Sequence, residues 1–239
     1  MVLGDPAAAA DVVVFLPPAG SVTAPFLALA ELLPDTVASV HCEVPGRGRL
    51  ADETAPGSVT EVVDRWAADL LAVRTGGRLH LFGHSLGALF AHELAVRLAR
   101  PPGHAVGSLS VSGARDPGSP PRSLVAATFA ALRRERPGTD RADDTDGAWL
   151  TLDLRLRREH RTAAPGRAPV RVPLALFGGA SDPFARPADM AGWRDFTTGP
   201  LLGTFTLPGG HDYYRTGPAA TATAIARVVR ASRDPSPSH

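Results

Sequence analysis

Five residues, Gly83-His84-Ser85-Leu86-Gly87, constrain this chain more than any other segment because of what flanks them. Leu79-His80-Leu81-Phe82 is a short apolar run that reads as a buried strand, and residues 88–100 read as a helix in which Leu89, Ala91, Leu94, Ala95 and Leu98 fall near helical spacing. Gly-x-Ser-x-Gly between a strand and a helix describes a turn that holds a serine hydroxyl out at the end of a sheet. A Cβ at either glycine would meet neighbouring backbone, so the turn demands both. The same alternation of apolar runs and helical patterns extends along the chain, the signature of an α/β protein with a mostly parallel central sheet and helices on both faces.

Val12-Val13-Val14-Phe15-Leu16 is continuous and β-branched, as a strand buried on both faces should be, and Pro17-Pro18-Ala19-Gly20 ends it. Residues 24–33 read as a helix closed by Pro34, and 36–44 as a second strand followed by the loop Pro45-Gly46-Arg47-Gly48-Arg49. Ser58-Val59-Thr60-Glu61 matches a capping box, with Val62, Val63, Trp66, Leu70 and Leu71 forming the apolar face of the helix behind it. Further strands are expected at 109–112, 174–177 and 203–207, and a closing helix at about 218–229.

Residues 114–171 break this rhythm. Residues 124–134 look helical and 135–147 are polar and Asp-rich, while Leu150, Leu152, Leu154 and Leu156 suit a strand or a helix equally. The expected organisation is a hydrolase-like core of 1–113 and 172–232, a helical lid insertion over 114–171, and a disordered tail at 233–239.

Composition narrows the classes that remain. A length of 239 residues suits one α/β domain, and a net charge of +1 makes no global electrostatic case for nucleic acid or a membrane surface. The single cysteine, Cys42, excludes an internal disulfide and a Cys-rich metal site, and its place in a strand suggests a small buried apolar role. No basic region precedes the first apolar stretch and Asp11 interrupts it, which points to a cytoplasmic protein without a signal peptide or anchor.

A serine hydroxyl needs a base, and the base needs an acid to fix its tautomer. In α/β-hydrolases the chain order is Ser, then Asp or Glu, then His, with the last two in loops after strands. His211 lies in Pro208-Gly209-Gly210-His211, directly after the last strand. His41 and His80 fall in strands, His92 and His160 in helices, His104 comes too early, and His84 is held by the turn itself. Two acids fit. Asp182, in Gly178-Gly179-Ala180-Ser181-Asp182-Pro183, follows one strand, and Asp116, in Ser112-Gly113-Ala114-Arg115-Asp116-Pro117, follows an earlier one; Asp182 is preferred, while Asp212 would project away from its neighbour His211. Oxyanion donors are expected at the N–H of Leu86 and at Ala19, the first N–H after Pro17-Pro18.

With these pieces in place the chain resembles the type II thioesterases of polyketide and nonribosomal peptide synthesis, stand-alone α/β-hydrolases. The resemblance covers almost the whole chain. It is carried by Phe15-Leu16-Pro17-Pro18-Ala19-Gly20, Val44-Pro45-Gly46-Arg47, Gly83 with the residues through Ala88, Gly178 with those through Pro183, Gly192-Trp193, and Pro208-Gly209-Gly210-His211. It implies a triad of Ser85, Asp182 and His211, oxyanion donors at Ala19 and Leu86, no metal or organic cofactor, and an acyl or peptidyl carrier protein bearing acyl-phosphopantetheine as partner; a monomer is expected. Ser21 replaces a usual glycine, Asp212 a usual aromatic, and Asp116 an apolar residue. An esterase, or a transferase or cyclase with the same triad, is the first alternative, and a non-catalytic carrier-binding module the second. Arg155, Arg157, Arg158 and Arg161 read as a solvated helix face or as a steering patch for an acidic carrier, and Trp193 as core packing or channel lining.

Overall fold

The computed structural model describes residues 1–73, 77–99, 105–119, 147–163 and 169–233, with the side chains of 161–163 outside that description. The expected helix at 124–134, the polar run through 146 and the tail from 234 lie outside the described residues. Seven strands form one sheet among them: β1 (Val2–Leu3), β2 (Asp11–Leu16), β3 (Val37–His41), β4 (Arg78–His84), β5 (Ala105–Ser112), β6 (Leu174–Gly179) and β7 (Leu201–Leu207). Their order is β1-β3-β2-β4-β5-β6-β7, all parallel except β1, which runs antiparallel to β3. The helices are α1 (Leu27–Ala30), α2 (Val59–Val73), α3 (Leu86–Leu98), α4 (Ala148–Ala163), α5 (Tyr213–Thr216) and α6 (Pro218–Ala231).

Every residue of β2 is buried, and its side chains alternate between two cores. Val12, Val14 and Leu16 pack with α2 and α3 on one face, while Val13 and Phe15 meet Phe26, Tyr214 and Ile225 on the other. Behind the capping box, Ser58 Oγ accepts from the Glu61 N–H at 3.1 Å, and the Glu61 carboxylate reaches back to the Gly57 N–H at 2.8 Å.

Two expectations need correction, and one open reading is decided. The helix expected over 24–33 shrinks to the four residues of α1, which has no side-chain cap and follows Pro25. The strand expected over 36–44 ends at His41, and the two-residue β1 that pairs with it is too short to show any periodicity. The leucine-rich stretch that fitted either period is the helix α4. Leu150 and Leu156 are buried there, with Asp153 between them on the same face.

At the amino end of the parallel strands the fully buried Asp11 accepts from His80 Nε2 at 2.9 Å, Arg78 Nε at 3.2 Å and Arg233 Nη2 at 2.5 Å. Burial pushes its pKa up, but the hydrogen bonds from His80 and Arg233 outweigh that and hold the carboxyl below its ordinary range. A group depressed in the folded state stabilises the fold above its unfolded pKa and loses that contribution as pH falls through the folded one. Asp11→Asn is therefore expected to cost about 2 kcal/mol at neutral pH, discounted because both arginines reach solvent. The difference from wild type should shrink below pH of about 4, as urea unfolding at several pH values would record.

Candidate active site

β4 ends at His84, and Ser85 takes φ 55° and ψ −117°, the one non-glycine residue with positive φ among the described residues. Such a conformation costs about 1–3 kcal/mol and persists only where the surroundings over-determine it. They do so here. The Ser85 N–H donates to the Ser112 carbonyl at 2.8 Å, anchoring the turn to the end of β5. A Cβ on Gly83 would lie 1.9 Å from the Gly87 carbonyl oxygen, and one on Gly87 would lie 2.2 Å from that of Leu16. Leu86 is the first residue of α3, where a backbone N–H has no acceptor within the helix. Ser85 lines a cleft of about 20 Å³ with Leu89, Ala114, Arg115, Arg157 and Trp193, room for about one water molecule.

Asp182 and His211 come from the loops after β6 and β7. These loops pack closely: a Cβ on Gly179 would sit 2.1 Å from the Gly210 carbonyl oxygen. Asp182 is 2% exposed; its Oδ1 accepts from the N–H groups of Phe184 at 2.8 Å and Ala185 at 3.3 Å, and its Oδ2 lies 2.9 Å from His211 Nδ1. With its proton on Nδ1 the imidazole donates to Asp182 and presents Nε2 as the basic nitrogen. The His211 ring packs at 4.6 Å from that of His84, the residue before the serine, and the Phe184 ring meets it edge-on at 5.0 Å.

His84, held by the turn, has a supporting place in the site. It is completely buried, and its Nδ1, Ser112 Oγ and Tyr213 OH form a hydrogen-bonded chain with steps of 2.7 and 2.6 Å. Burial, then the neighbouring His211 and Arg215, push its pKa well down, so it packs against His211 as a neutral ring. The aromatic side chains missing at position 212 appear one and two residues later, as the buried Tyr213 and Tyr214.

Asp116 is engaged elsewhere. Its carboxylate accepts from the Ser119 N–H at 2.9 Å and the Ser119 hydroxyl at 2.5 Å. It also fills the space a Cβ on Gly192 would need, only 2.5 Å away. Trp193 is buried, donates through Nε1 to the Ala114 carbonyl at 2.7 Å, and still contributes to the wall of the cleft, so packing and lining coincide. The arginine cluster divides: Arg157 lines the cleft while Arg155 and Arg158 are exposed, and the Arg161 side chain lies outside the described residues. His41 and His80 sit in β3 and β4, His92 and His160 in α3 and α4, and His104 lies outside the described residues.

Ala19 sits in a turn in which the Ser21 N–H donates to the Pro18 carbonyl at 3.3 Å and Gly20 has φ 75°. The Gly20 N–H donates to Asp153 Oδ2 at 2.7 Å, and Arg47 Nη2 donates to the same oxygen at 2.9 Å. Arg47 belongs to the Pro-Gly-Arg segment that carries the resemblance, whereas nothing in the sequence alone marks Asp153. The signal for Asp153 is an acid three residues from buried leucines on either side, visible only once the segment is known to be helical.

Burial pushes the Cys42 thiol up to about 12, consistent with a small apolar side chain. Among the described residues no cluster of three or more His, Cys, Asp or Glu side chains could hold a metal ion. Among them, too, no helix is long and apolar enough to cross a membrane.

Residues 12–232 match the thioesterase domain family. The chain is similar to Thioesterase PikA5 of Streptomyces venezuelae, with 34% identity over 209 residues covering 84% of this chain and 74% of that protein. Among solved structures it is similar to RedJ, a thioesterase from the prodiginine biosynthetic pathway of Streptomyces coelicolor, at 30% identity and a TM-score of 0.74 over 95% of this chain and 92% of that one. It is also similar to the type II thioesterase BorB from the borrelidin biosynthetic cluster, at 26% identity and a TM-score of 0.72 over 96% and 97%. The sheet and its flanking helices are those of the α/β-hydrolase fold.

Proposed function

Because the chain belongs to the thioesterase family and is similar to a type II member from a biosynthetic cluster, we propose that it is a type II thioesterase that hydrolyses acyl thioesters carried on the phosphopantetheine of acyl or peptidyl carrier proteins, through an acyl-Ser85 intermediate. In this reading His211 Nε2 takes the Ser85 hydroxyl proton as Oγ bonds to the thioester carbonyl carbon. Charge on the carbonyl oxygen is received by the N–H groups of Ala19 and Leu86. The C–S bond breaks, the departing sulfur takes the proton from His211, and a water then repeats the attack on the acyl-serine to release the free acid. Asp182 keeps the His211 proton on Nδ1 and stabilises the imidazolium that forms in each half. Residues 114–171 act as a lid over the core formed by 1–113 and 172–232.

The observation that carries this reading is the 2.9 Å contact between His211 Nδ1 and Asp182 Oδ2, behind a serine held at φ 55°. Its test is a substrate panel: acyl-loaded carrier proteins followed by mass spectrometry, acyl-N-acetylcysteamine thioesters, and p-nitrophenyl esters. Carrier-bound acyl groups are expected to be released fastest and the simple esters slowest. Turnover of the simple esters with no release from carriers would replace the proposal with an ordinary esterase.

A further inference from the structure

The loop after β2 is held by a carboxylate from a distant part of the chain. Asp153 Oδ2 receives both the Gly20 N–H at 2.7 Å and Arg47 Nη2 at 2.9 Å, and the side chains of Arg47 and Asp153 are each 2% exposed. A carboxylate so far from water stays ionised only beside a cation and with further donors. Arg47 supplies the charge, the Gly20 N–H supplies another donor, and the Arg47 guanidinium lies 5.5 Å from the Trp149 ring centre.

The direction of that Gly20 N–H is informative. Gly20 at φ 75°, with the Ser21 N–H bonded to the Pro18 carbonyl, makes a type II turn centred on Ala19 and Gly20. Types I and II differ by a flip of the central peptide, here the one joining Ala19 to Gly20. Flipping it would turn the Ala19 carbonyl, instead of an N–H, toward a buried carboxylate, and at low dielectric that repulsion is strong. We propose that Asp153 is a positioning residue for catalysis: by holding the Ala19–Gly20 peptide through the Gly20 N–H it anchors the loop whose preceding peptide, Pro18–Ala19, carries the Ala19 N–H that receives the oxyanion. The proposal rests on the reading of Ala19 as an oxyanion donor. Asp153 and Trp149 belong to α4, whereas Gly20 and Arg47 follow β2 and β3, so the oxyanion loop is completed only when α4 is seated. Leu150 and Leu156 seat it in the core, and His160 Nε2 meets Glu93 Oε1 of α3 at 3.0 Å.

The test removes the buried charges together, so that no unpaired ion confuses the result. In an Arg47→Met background, Asp153→Asn keeps an acceptor for the Gly20 N–H and Asp153→Leu removes it. One oxyanion donor is worth about 10²–10³ in kcat and a misdirected one less, so the Leu variant is expected to lose about 10- to 100-fold in kcat on an acyl-N-acetylcysteamine thioester with KM within about twofold. The Asn variant, in the same Arg47→Met background, is the reference for that loss and is expected to stay within about threefold of wild type. Hydrogen exchange of the peptide spanning residues 17–26 supplies a readout independent of turnover, with faster exchange expected in the Leu variant. Equal kcat and equal exchange in two variants of equal melting temperature would overturn the proposal. A wild-type enzyme inactive on thioesters would instead overturn the thioesterase reading, and the exchange comparison would still decide whether Asp153 fixes the turn.

Discussion

Ser85→Ala is expected to lower kcat on a carrier-bound acyl group by about 10⁶-fold while leaving the melting temperature within a few degrees of wild type. The two halves of that expectation have separate physical causes. Activity falls because alanine offers no oxygen to carry the acyl group, and what survives is the catalysis that the oxyanion donors and substrate positioning give to direct attack by water. Stability holds because the strain at φ 55° belongs to any residue with a Cβ, and alanine keeps both the Cβ and the backbone N–H that donates to Ser112 at 2.8 Å. Intact-protein mass spectrometry supplies the second measurement: an acyl adduct on wild type with a slowly hydrolysed thioester, and none on the variant. A folded Ser85→Ala protein retaining a tenth of the activity, or an adduct mapped to another residue, would rule out Ser85 as the nucleophile.

Asp182→Asn is expected to lower kcat by about 10⁴-fold, and Asp116→Asn by less than about threefold. The backbone around position 182 dictates how the amide would sit. Phe184 and Ala185 both donate to Oδ1, so the asparagine carbonyl must occupy that place and its NH₂ must face His211. An NH₂ opposite Nδ1 demands an acceptor there, which drives the imidazole proton to Nε2 and leaves no base for the serine. At position 116 the same change touches, among the described residues, the contacts with Ser119 and the packing on Gly192, a local effect on stability of about 1 kcal/mol. Steady-state kinetics on folded variants gives the ranking, and the opposite order would move the acid role to Asp116.

Much of this architecture was legible because it follows from short-range rules. The strand 12–16 announced itself by an unbroken β-branched run, the cap of α2 by Ser58 and Glu61, and the turn at Ser85 by glycines whose Cβ atoms have no space. Asp182 and His211 could be singled out as residues just past strands, since a parallel sheet gathers the carboxyl ends of its strands at one edge. The two-residue β1 escaped and the helix at α1 was drawn too long for the complementary reason, because elements so short carry only about one period of any pattern.

The residues that escaped notice act through partners far away in the chain. Asp153 bonds a backbone amide 133 residues earlier, and Ser112 joins His84 to a tyrosine 101 residues later. Neither contact leaves a local mark, because a buried polar side chain is explained only by the group that satisfies it.

By itself, the amino-acid order determined the alternation of strands and helices, the sharp turn that strains Ser85, and the positions after strands where a base and an acid could stand. Backbone sterics and the period of apolar residues are properties of neighbours along the chain, so they are written locally. Only the tertiary structure decided that Asp182 rather than Asp116 meets His211, that the leucine-rich segment is a helix, and that its Asp153 grips the Gly20 amide. Those outcomes depend on which polar groups lose their water together, and burial is a property of the assembled fold.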